Sequence, residues 1–401
     1  MSSAPLVVPG VRLGVAQAGI KRAGKDDLTI IELAPDSVCA AVFTRNAFCA
    51  APVHVARSHW RACEYRPRYW VVNTGNANAG TGAHGMAAAE ATCAELAALC
   101  GCATTAVMPF STGVIGEPLP VEKLTQALPA AIEDLDANGW SRAASAILTT
   151  DTRPKWVSRT VTIGDVAVTL TGMSKGSGMI CPDMATMLGF IATDAAVDFK
   201  LLDEIFRRAV DASFNRITVD GDTSTNDVAV VAATGASGVR IDAHDTVAVD
   251  AFSEALSEVC IALAQAIVRD GEGATKFVEI HVEGGIDEQE CEAVARTIAH
   301  SPLVKTALFA SDPNWGRLLA AIGRAGLENL LVDDVSLYLN GVLIAEQGAR
   351  AASYTEEQGQ QAMSATDLVI NVRLGRGCAA ATLWTTDLSY DYVRINAEYR
   401  T

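Results

Sequence analysis

A glycine-rich loop that runs directly into an apolar segment is the feature that most constrains this chain. Residues 172 to 194 are GMSKGSGMICPDMATMLGFIATD, with glycine at positions 172, 176 and 178. Glycine adopts backbone conformations that other residues resist, and Pro182 favours an extended conformation for the residue before it. We therefore predict a strained loop that leads into a buried segment, with the hydroxyl of Thr186 at the junction.

Thr186 allows two interpretations, because a hydroxyl group that becomes buried needs a hydrogen-bond partner or a chemical role. The surrounding residues alone favour a threonine on a strand that faces its neighbour. The alternative is a nucleophile at which the chain cuts itself. No histidine lies near a candidate hydroxyl in the sequence. A threonine at a new N-terminus supplies its own base, since cleavage frees an α-amine beside the hydroxyl.

Composition and charge exclude several classes of protein. The chain has 401 residues, half of them hydrophobic, and a formal net charge of −16. Such a length favours two domains, and the acidic charge argues against a nucleic-acid partner. The N-terminus lacks a basic segment followed by a long apolar one, so we expect a cytoplasmic protein with no membrane partner. The charge-free stretch 96–116 contains Pro109 and three glycines, which favours a helix end, a buried strand and a loop.

Neither a metal nor a cofactor is expected. The ten cysteines and six histidines are scattered, without the spacing of a zinc site, and buried free thiols are the simplest interpretation. The sequence also lacks a glycine-rich dinucleotide motif after a strand and a phosphate-binding loop.

The order of predicted elements favours an α+β fold with layered, mixed sheets over a doubly wound parallel sheet. Asp198 is predicted to cap a helix, and Arg216–Val219 to form a short strand. Strands and hairpins are predicted in both halves of the chain, at Leu28–Leu33, at Val38–Phe43, at Val157–Ile163 with Val166–Thr171, around Asn340-Gly341, and at Leu368–Leu374 with Ala379–Trp384.

Two polar positions are candidates for chemistry. Thr112 and Gly113 follow a predicted buried strand, where a hydroxyl and a backbone N–H could stabilise an oxyanion; a plain strand-to-helix turn is the alternative. Glu272 lies between two glycines. A carboxylate there is either solvated or binds a substrate ammonium group.

The loop also resembles the self-cleavage region of the ornithine acetyltransferases, the bacterial and fungal glutamate N-acetyltransferases of arginine biosynthesis. The similarity extends over essentially the whole chain, with Thr74 and the positions of Cys181 and Asp183 as small departures. The motifs that carry it, in family order around residues 175–188, are 74–79, 111–116, 149–152, 270–276, 311–317 and 396–401.

The resemblance implies a two-lobed, self-processing acyltransferase with an N-terminal threonine. Cleavage between Ala185 and Thr186 would give an α chain, residues 1–185, and a β chain, residues 186–401. Thr186 would then carry the acetyl group from N2-acetyl-L-ornithine to L-glutamate, by ping-pong transfer. An α2β2 heterotetramer is implied, and the sequence leaves open whether acetyl-CoA is a second donor.

Residue roles also follow from the resemblance. Thr112 and Gly113 would form the oxyanion hole. The positions that match the family's substrate contacts are Thr149, Lys175, Thr186, Glu272, Asn396 and Thr401. Two other functions stay open: an N-terminal-nucleophile amidohydrolase or aminopeptidase, and a non-catalytic amino-acid-binding protein.

Overall fold

The computed structural model describes residues 4–181 and 187–398. Ala185, Thr186 and Thr401, which are central to the predicted chemistry, lie outside these ranges. The chain forms two compact units, Met1–Asn215 with Asp222–Ile267, and Arg216–Gly221 with Val268–Thr401. The prediction of two lobes is confirmed.

The first unit is built from two β-sheets and the helices that cover them. Its strands are β1 (Val11–Ala16), β2 (Leu28–Leu33), β3 (Val38–Phe43), β4 (Tyr69–Asn76), β5 (Val107–Val114), β6 (Lys155–Ile163), β7 (Val166–Lys175), β8 (Leu188–Thr193), β9 (Ala196–Val197), β10 (Val228–Ala233) and β11 (Arg240–Ile241). Its helices are α1 (Ala51–Ala62), α2 (Gly82–Cys100), α3 (Val121–Glu133), α4 (Trp140–Ala146), α5 (Phe199–Asp211) and α6 (Thr246–Arg269), whose last two residues belong to the second unit.

The two sheets pack face to face around an aromatic core. Their strand orders are β1-β2-β4-β5 and β3-β10-β8-β7-β6, with β4 parallel to β5 and β8 parallel to β10. Phe190 on β8 lies 5.9 Å from the ring of Trp70 on β4 and 5.2 Å from that of Phe110 on β5. Large rings therefore fill the space between the two sheets, and each of them buries much apolar area.

Helices cover the outer faces of both sheets. Val71 on β4 shares a buried cluster with Leu96 of α2 and Leu128 of α3. On the other sheet, a Cβ at Gly172 would lie 2.9 Å from Leu263 of α6. Every residue of β8 and β10 is buried, because both faces of their sheet are covered. The result is a helix–sheet–sheet–helix sandwich, and the layered α+β prediction is confirmed.

The second unit is a two-layer structure. Its strands are β12 (Phe277–Gly285), β13 (Ser336–Leu339), β14 (Val342–Glu346), β15 (Ala349–Arg350), β16 (Asp367–Arg373) and β17 (Ala379–Thr386), in the order β15-β14-β13-β16-β12-β17. Its helices are α7 (Glu288–Ala299), α8 (Pro302–Phe309), α9 (Trp315–Gly323), α10 (Glu356–Met363) and α11 (Tyr390–Ala397). Alternate strand residues such as Val278, Ile280 and Val282 pack against α7 to α10.

The last predicted hairpin is wrong. β16 and β17 are not neighbours, since β12 lies between them, parallel to β16 and antiparallel to β17. The turn after β16 instead bonds to the end of β12, where Leu374 N donates to Glu283 O over 2.9 Å. Local turn residues cannot specify which third strand enters between two others, because this choice depends on packing of the whole sheet.

Other local predictions are confirmed. β6 and β7 form the expected hairpin, and β13 and β14 form another around Asn340 and Gly341, whose φ angles are 46° and 81°. Two positive φ angles are typical of a tight hairpin turn. β2 and β3 match their predicted bounds, although each belongs to a different sheet.

Two smaller predictions need correction. Asp198 precedes α5, but its side chain does not cap the helix and instead binds Arg240 at 2.8 Å. Residues 216–219 do not form a strand: a 3-10 helix spans Phe214–Arg216, and a single bridge joins Ile217 to Trp384.

The structure also bears on the predictions about the cysteines and about a membrane-spanning segment. All ten cysteines are free, as predicted, but Cys378 is exposed. Among the described residues, α6 is the one helix long and apolar enough to cross a membrane, and 50% of its most apolar window is buried in the protein.

Candidate functional site

Thr112 and Gly113 lie at the end of β5, where β5 pairs with β4 in parallel. Gly113 is opposite Gly75 and has a φ of 136°. A Cβ at Gly113 would lie 2.3 Å from the carbonyl carbon of Gly75, so no other residue fits without moving a strand. The glycine thus permits a close approach of two backbones beside the predicted oxyanion donors.

Lys175, the last residue of β7, contacts this strand end directly. Its Nζ donates a hydrogen bond to Thr112 Oγ1 over 3.1 Å. An ammonium group only donates, so the Thr112 hydroxyl accepts here and keeps its own proton to donate elsewhere. Two of the predicted site residues are therefore in contact, and the threonine is oriented by a cation.

Both side chains line one small cavity of about 40 Å³ in the first unit. Met187, the residue after Thr186, lines the same cavity. The other lining residues are Gly176, Gly178, Met179, Ile180, Leu188, Ser224, Asn226 and Asp227. The predicted oxyanion donor, the predicted carboxylate-binding lysine and the neighbour of the predicted nucleophile thus surround a common space.

Asp151 lies behind this cavity, and sequence reasoning did not single it out. Its Oδ1 accepts from Lys155 Nζ over 2.6 Å and from Gly176 N over 2.7 Å. Burial raises the pKa of Asp151, but the charges of Lys175 and Lys155 and these hydrogen bonds lower it to about 2. The signal available in the sequence was a pair of opposite charges, Asp151 and Lys155, in a polar stretch before a strand.

Thr149 belongs to the same group, because its backbone N donates to Asp151 Oδ2 over 3.2 Å. Beside it, Thr150 Oγ1 and Ser177 Oγ lie 2.7 Å apart. The turn that carries Thr149 is therefore bonded to the loop that begins after Lys175.

A second loop, residues 220–227, and the strand β10 that follows it hold the two flanks of segment 182–186. Thr223 Oγ1 donates to Cys181 O over 2.9 Å, and Val228 N donates to Met187 O over 2.9 Å. The loop itself is fixed to β5 through Asn226, whose Nδ2 donates to Ser111 O over 2.9 Å. The hydroxyl-rich stretch 220–227 thus binds the residue before the predicted cleavage region, and β10 binds the residue after it.

The second unit contains the other two described candidates, Glu272 and Asn396. Asn396 Nδ2 donates to Glu272 Oε2 over 2.7 Å, and Glu272 is only 7% exposed. A Cβ at Gly273 would lie 2.6 Å from Ser389 Oγ, so a glycine lets the Glu272 loop pack against the start of α11. Glu272 is therefore a buried carboxylate with a positioned amide partner.

Asp387 holds the same loop at its other end. Its carboxylate accepts from Thr275 N over 2.9 Å, from Thr275 Oγ1 over 2.6 Å and from Lys276 N over 3.0 Å. Lys305 supplies a positive charge nearby and is fully buried. Burial lowers the pKa of Lys305 to about 8, against the opposing effect of Asp387 and Asp220.

The candidates therefore form two groups within the described residues. Thr112, Gly113, Lys175 and Thr149 belong to the first unit, and Glu272 and Asn396 to the second. Each group is connected by hydrogen bonds within its own unit.

A layered α/β fold in which a few polar groups converge on a small cavity is typical of an enzyme that binds a small molecule. The ArgJ family model matches residues 12–401. The chain belongs to the ArgJ family, which confirms the family predicted from the motifs.

Individual relatives agree with this assignment. The chain is 54% identical over 395 residues, 98% of this chain and 97% of the relative, to the arginine biosynthesis bifunctional protein ArgJ of Pseudomonas syringae pv. tomato. It is 55% identical over 394 residues, 98% of this chain and 96% of the relative, to the protein of that name from Methylococcus capsulatus. A crystal structure of arginine biosynthesis bifunctional protein ArgJ from Bacillus halodurans is similar with a TM-score of 0.50 and 40% identity, over 53% of this chain and 99% of that chain.

Proposed function

We propose that this chain is the arginine-biosynthetic acetyltransferase that moves the acetyl group of N2-acetyl-L-ornithine to L-glutamate. The observation that carries the proposal is the Lys175–Thr112 contact, at 3.1 Å, beside a cavity that Met187 also lines. It provides an oriented hydroxyl donor close to the chain position that follows Thr186. Family membership supports the substrates, because the relatives named above are arginine-biosynthesis proteins.

In the proposed activation, Thr186 Oγ attacks the carbonyl carbon of Ala185. The C–N bond to Thr186 breaks, its nitrogen takes up the hydroxyl proton, and an ester forms. The α-amine of Thr186 is now free, and water hydrolyses the ester to a carboxylate on Ala185 and the regenerated hydroxyl of Thr186. The products are an α chain, residues 1–185, and a β chain, residues 186–401.

The sheet β3-β10-β8-β7-β6 supports this proposal, because both proposed chains contribute strands to it. β8 and β10 come from the β chain, and they pair with β7 and β3 of the α chain. Each contact is a six-residue antiparallel ladder, so cleavage leaves the sheet paired. The Bacillus halodurans chain is about half as long as this one, since 99% of it covers only 53% of this chain. A separate β chain would have a similar length.

In the proposed transfer, the Thr186 α-amine acts as the base. An unperturbed α-amine has a pKa of about 7.7–8.0, which suits proton transfer near neutral pH. The Thr186 hydroxyl attacks the acetyl carbonyl, its proton passes by way of the amine to the ornithine nitrogen, and ornithine leaves. The glutamate amine then attacks the acetyl-threonine ester, the C–O bond to Thr186 breaks, and a proton of the glutamate amine passes by way of the α-amine to the Thr186 oxygen, which restores the hydroxyl and releases acetylglutamate. The Thr112 hydroxyl and the Gly113 N–H stabilise the oxyanion in both steps.

Charge supports the proposed substrate contacts. Lys175 binds a substrate carboxylate, Glu272 with Asn396 binds an ammonium group, and Thr149 and Thr401 contact the same substrates. We extend the proposal to acetyl-CoA as a second donor, because the relatives are named bifunctional. A cytoplasmic α2β2 heterotetramer is part of the same proposal.

The test is a transfer assay with N2-acetylornithine in the presence and absence of glutamate. Acetylglutamate should form with glutamate present, and free ornithine should accumulate only in the amount of enzyme when glutamate is absent. Continuous release of acetate without an amine acceptor would instead identify a hydrolase. The absence of any turnover by folded, cut protein would favour a binding protein.

A further inference from the structure

Asp151 is a fully buried carboxylate between two lysines, and the proposed mechanism does not use it. The side chains of Asp151 and Lys155 are both 0% exposed, and they form an ion pair of 2.6 Å. Lys175 is half-buried and lines the cavity. Removing a charge from water is costly unless its partners compensate, so such a group is retained only where its contacts are satisfied.

The contacts of Asp151 join two separate segments of the first unit. One oxygen accepts from Gly176 N, the amide next to Lys175, over 2.7 Å. The other accepts from Thr149 N over 3.2 Å, at a candidate substrate-binding residue. The bond between Thr150 and Ser177 repeats this connection one residue further along both segments. Asp151 is thus the common acceptor that joins the 149–155 turn to the end of β7.

The charges around Asp151 favour one orientation of Lys175. Lys155 and Asp151 neutralise each other inside the protein, so the ammonium group of Lys175 can bind an anion in the cavity. Lys175 directs its Nζ at Thr112 Oγ1, while its following amide is held by Asp151. A fixed ammonium group binds a carboxylate more tightly than a mobile one, because less side-chain freedom is lost on binding.

We propose that Asp151 is a positioning residue: its carboxylate holds the Lys175–Gly176 backbone against the Thr149 turn, and it thereby sets how strongly Lys175 binds the substrate carboxylate. This inference rests on the proposed function and adds how the lysine that binds the substrate carboxylate is held in place. The buried charge acts through Lys175 and does not itself touch substrate.

The experiment compares N2-acetylornithine with its α-carboxamide analogue, which lacks the carboxylate charge. The ratio of kcat/KM for acid over amide is measured in the wild type, in Asp151→Asn and in Asp194→Asn. Asp194 is a suitable control because it is another buried carboxylate of the first unit that accepts a backbone N–H, from Thr169 over 2.8 Å. The cut fraction of each protein is measured on a denaturing gel.

For Asp151→Asn the acid-over-amide ratio should fall by about tenfold or more, which is the size expected for one hydrogen bond to a charged group. The loss should be mainly in KM for the acid, and Asp194→Asn should keep the wild-type ratio. A merely structural defect would lower kcat/KM for both substrates by the same factor and leave their ratio unchanged. If Asp151→Asn is folded but uncut, the acid-over-amide ratio of binding affinities is measured by calorimetry in the uncut Thr186→Ala background, with and without Asp151→Asn. A fall of similar size supports the inference, and an unchanged ratio overturns it.

A cut Asp151→Asn protein with the wild-type ratio would overturn the inference. If that variant is insoluble, Asp151→Glu replaces it, because one added methylene keeps the charge but displaces its oxygens from Gly176 N. A wild-type ratio in Asp151→Glu, or insolubility of both variants beside a soluble Asp194→Asn, would also overturn it. Failure of the wild type to transfer acetyl would instead reject the proposed function.

Discussion

Asn396 donates a hydrogen bond from Nδ2 to Glu272 Oε2 over 2.7 Å, across 124 positions of the chain. The carboxylate is only 7% exposed, and its loop is held on the other side by Asp387. An amide donor leaves the charge of the carboxylate in place, so Glu272 can still attract a cation. The pair therefore supports the proposal that Glu272 binds a substrate ammonium group.

Glu272→Gln tests this role, because it keeps the shape and removes the charge. We expect KM for N2-acetylornithine to rise by about tenfold to a hundredfold, since a hydrogen bond to a charged group contributes roughly 1.5–3 kcal/mol. Self-cleavage should be unchanged. Glu279→Gln is the matched control, as Glu279 also accepts from a single side-chain donor, Trp384 Nε1, over 3.0 Å. An unchanged KM in Glu272→Gln would remove this residue from substrate binding.

Thr112→Val removes the proposed oxyanion donor without changing the volume of the side chain. The expected result is a fall in kcat of about 10²–10³-fold, because one such donor is worth roughly 2.7–4 kcal/mol. Thr112→Ser should recover most of the rate. Thr92→Val serves as the control, since Thr92 is buried and its hydroxyl donates to Ala88 O in α2. Steady-state kinetics measures kcat for each protein. Equal kcat values for Thr112→Val and Thr92→Val would contradict the assignment of Thr112 as an oxyanion donor.

Thr186→Ala should give one uncut, inactive chain of 401 residues, because the attacking hydroxyl is missing. The wild type should give two fragments on a denaturing gel but a single species in native size exclusion, since β8 stays paired between β7 and β10. Mass spectrometry of the fragments identifies the cut bond. Detection of the same two fragments from Thr186→Ala would reject Thr186 as the nucleophile.

Lys305 should make stability depend on pH in the alkaline range. Burial lowers its pKa in the folded protein from 10.5 to about 8, so between these values the unfolded chain binds a proton that the folded chain has lost. The free energy of unfolding therefore rises with pH in this window. The rise amounts to a few kcal/mol, at about 1.4 kcal/mol for each unit of pKa.

Lys305→Met should lack this rise, so its stability relative to the wild type should decrease steadily from pH 8 to 10.5. Urea unfolding measures this free energy of unfolding. The variants are made in the uncut Thr186→Ala background, so that the two chains do not separate on unfolding. Lys123→Met, at an exposed lysine, is the control and should follow the wild-type curve. A constant difference between Lys305→Met and wild type across the window would show that Lys305 does not titrate there.

Short-range features of the fold could be predicted because they depend on neighbouring residues. β2 and β3 have the bounds expected from their apolar runs, and Asn340-Gly341 forms the expected tight turn because both residues tolerate positive φ. The motifs likewise identified Thr112, Lys175, Glu272 and Asn396 as candidates. Lys175 contacts Thr112 and Asn396 contacts Glu272. The roles of these residues, like those of Thr186 and Thr401, stay predictions.

Long-range partners could not be predicted in the same way. Sequence by itself determined the family, the layered α+β class and the residue types available for acyl transfer. Only the tertiary structure placed β12 between β16 and β17 and brought Asp151 to Gly176 and Asn396 to Glu272. The physical reason is that turns and strand periodicity are set by local sterics. Strand order and buried charge pairs depend instead on which distant segments pack together with the lowest free energy.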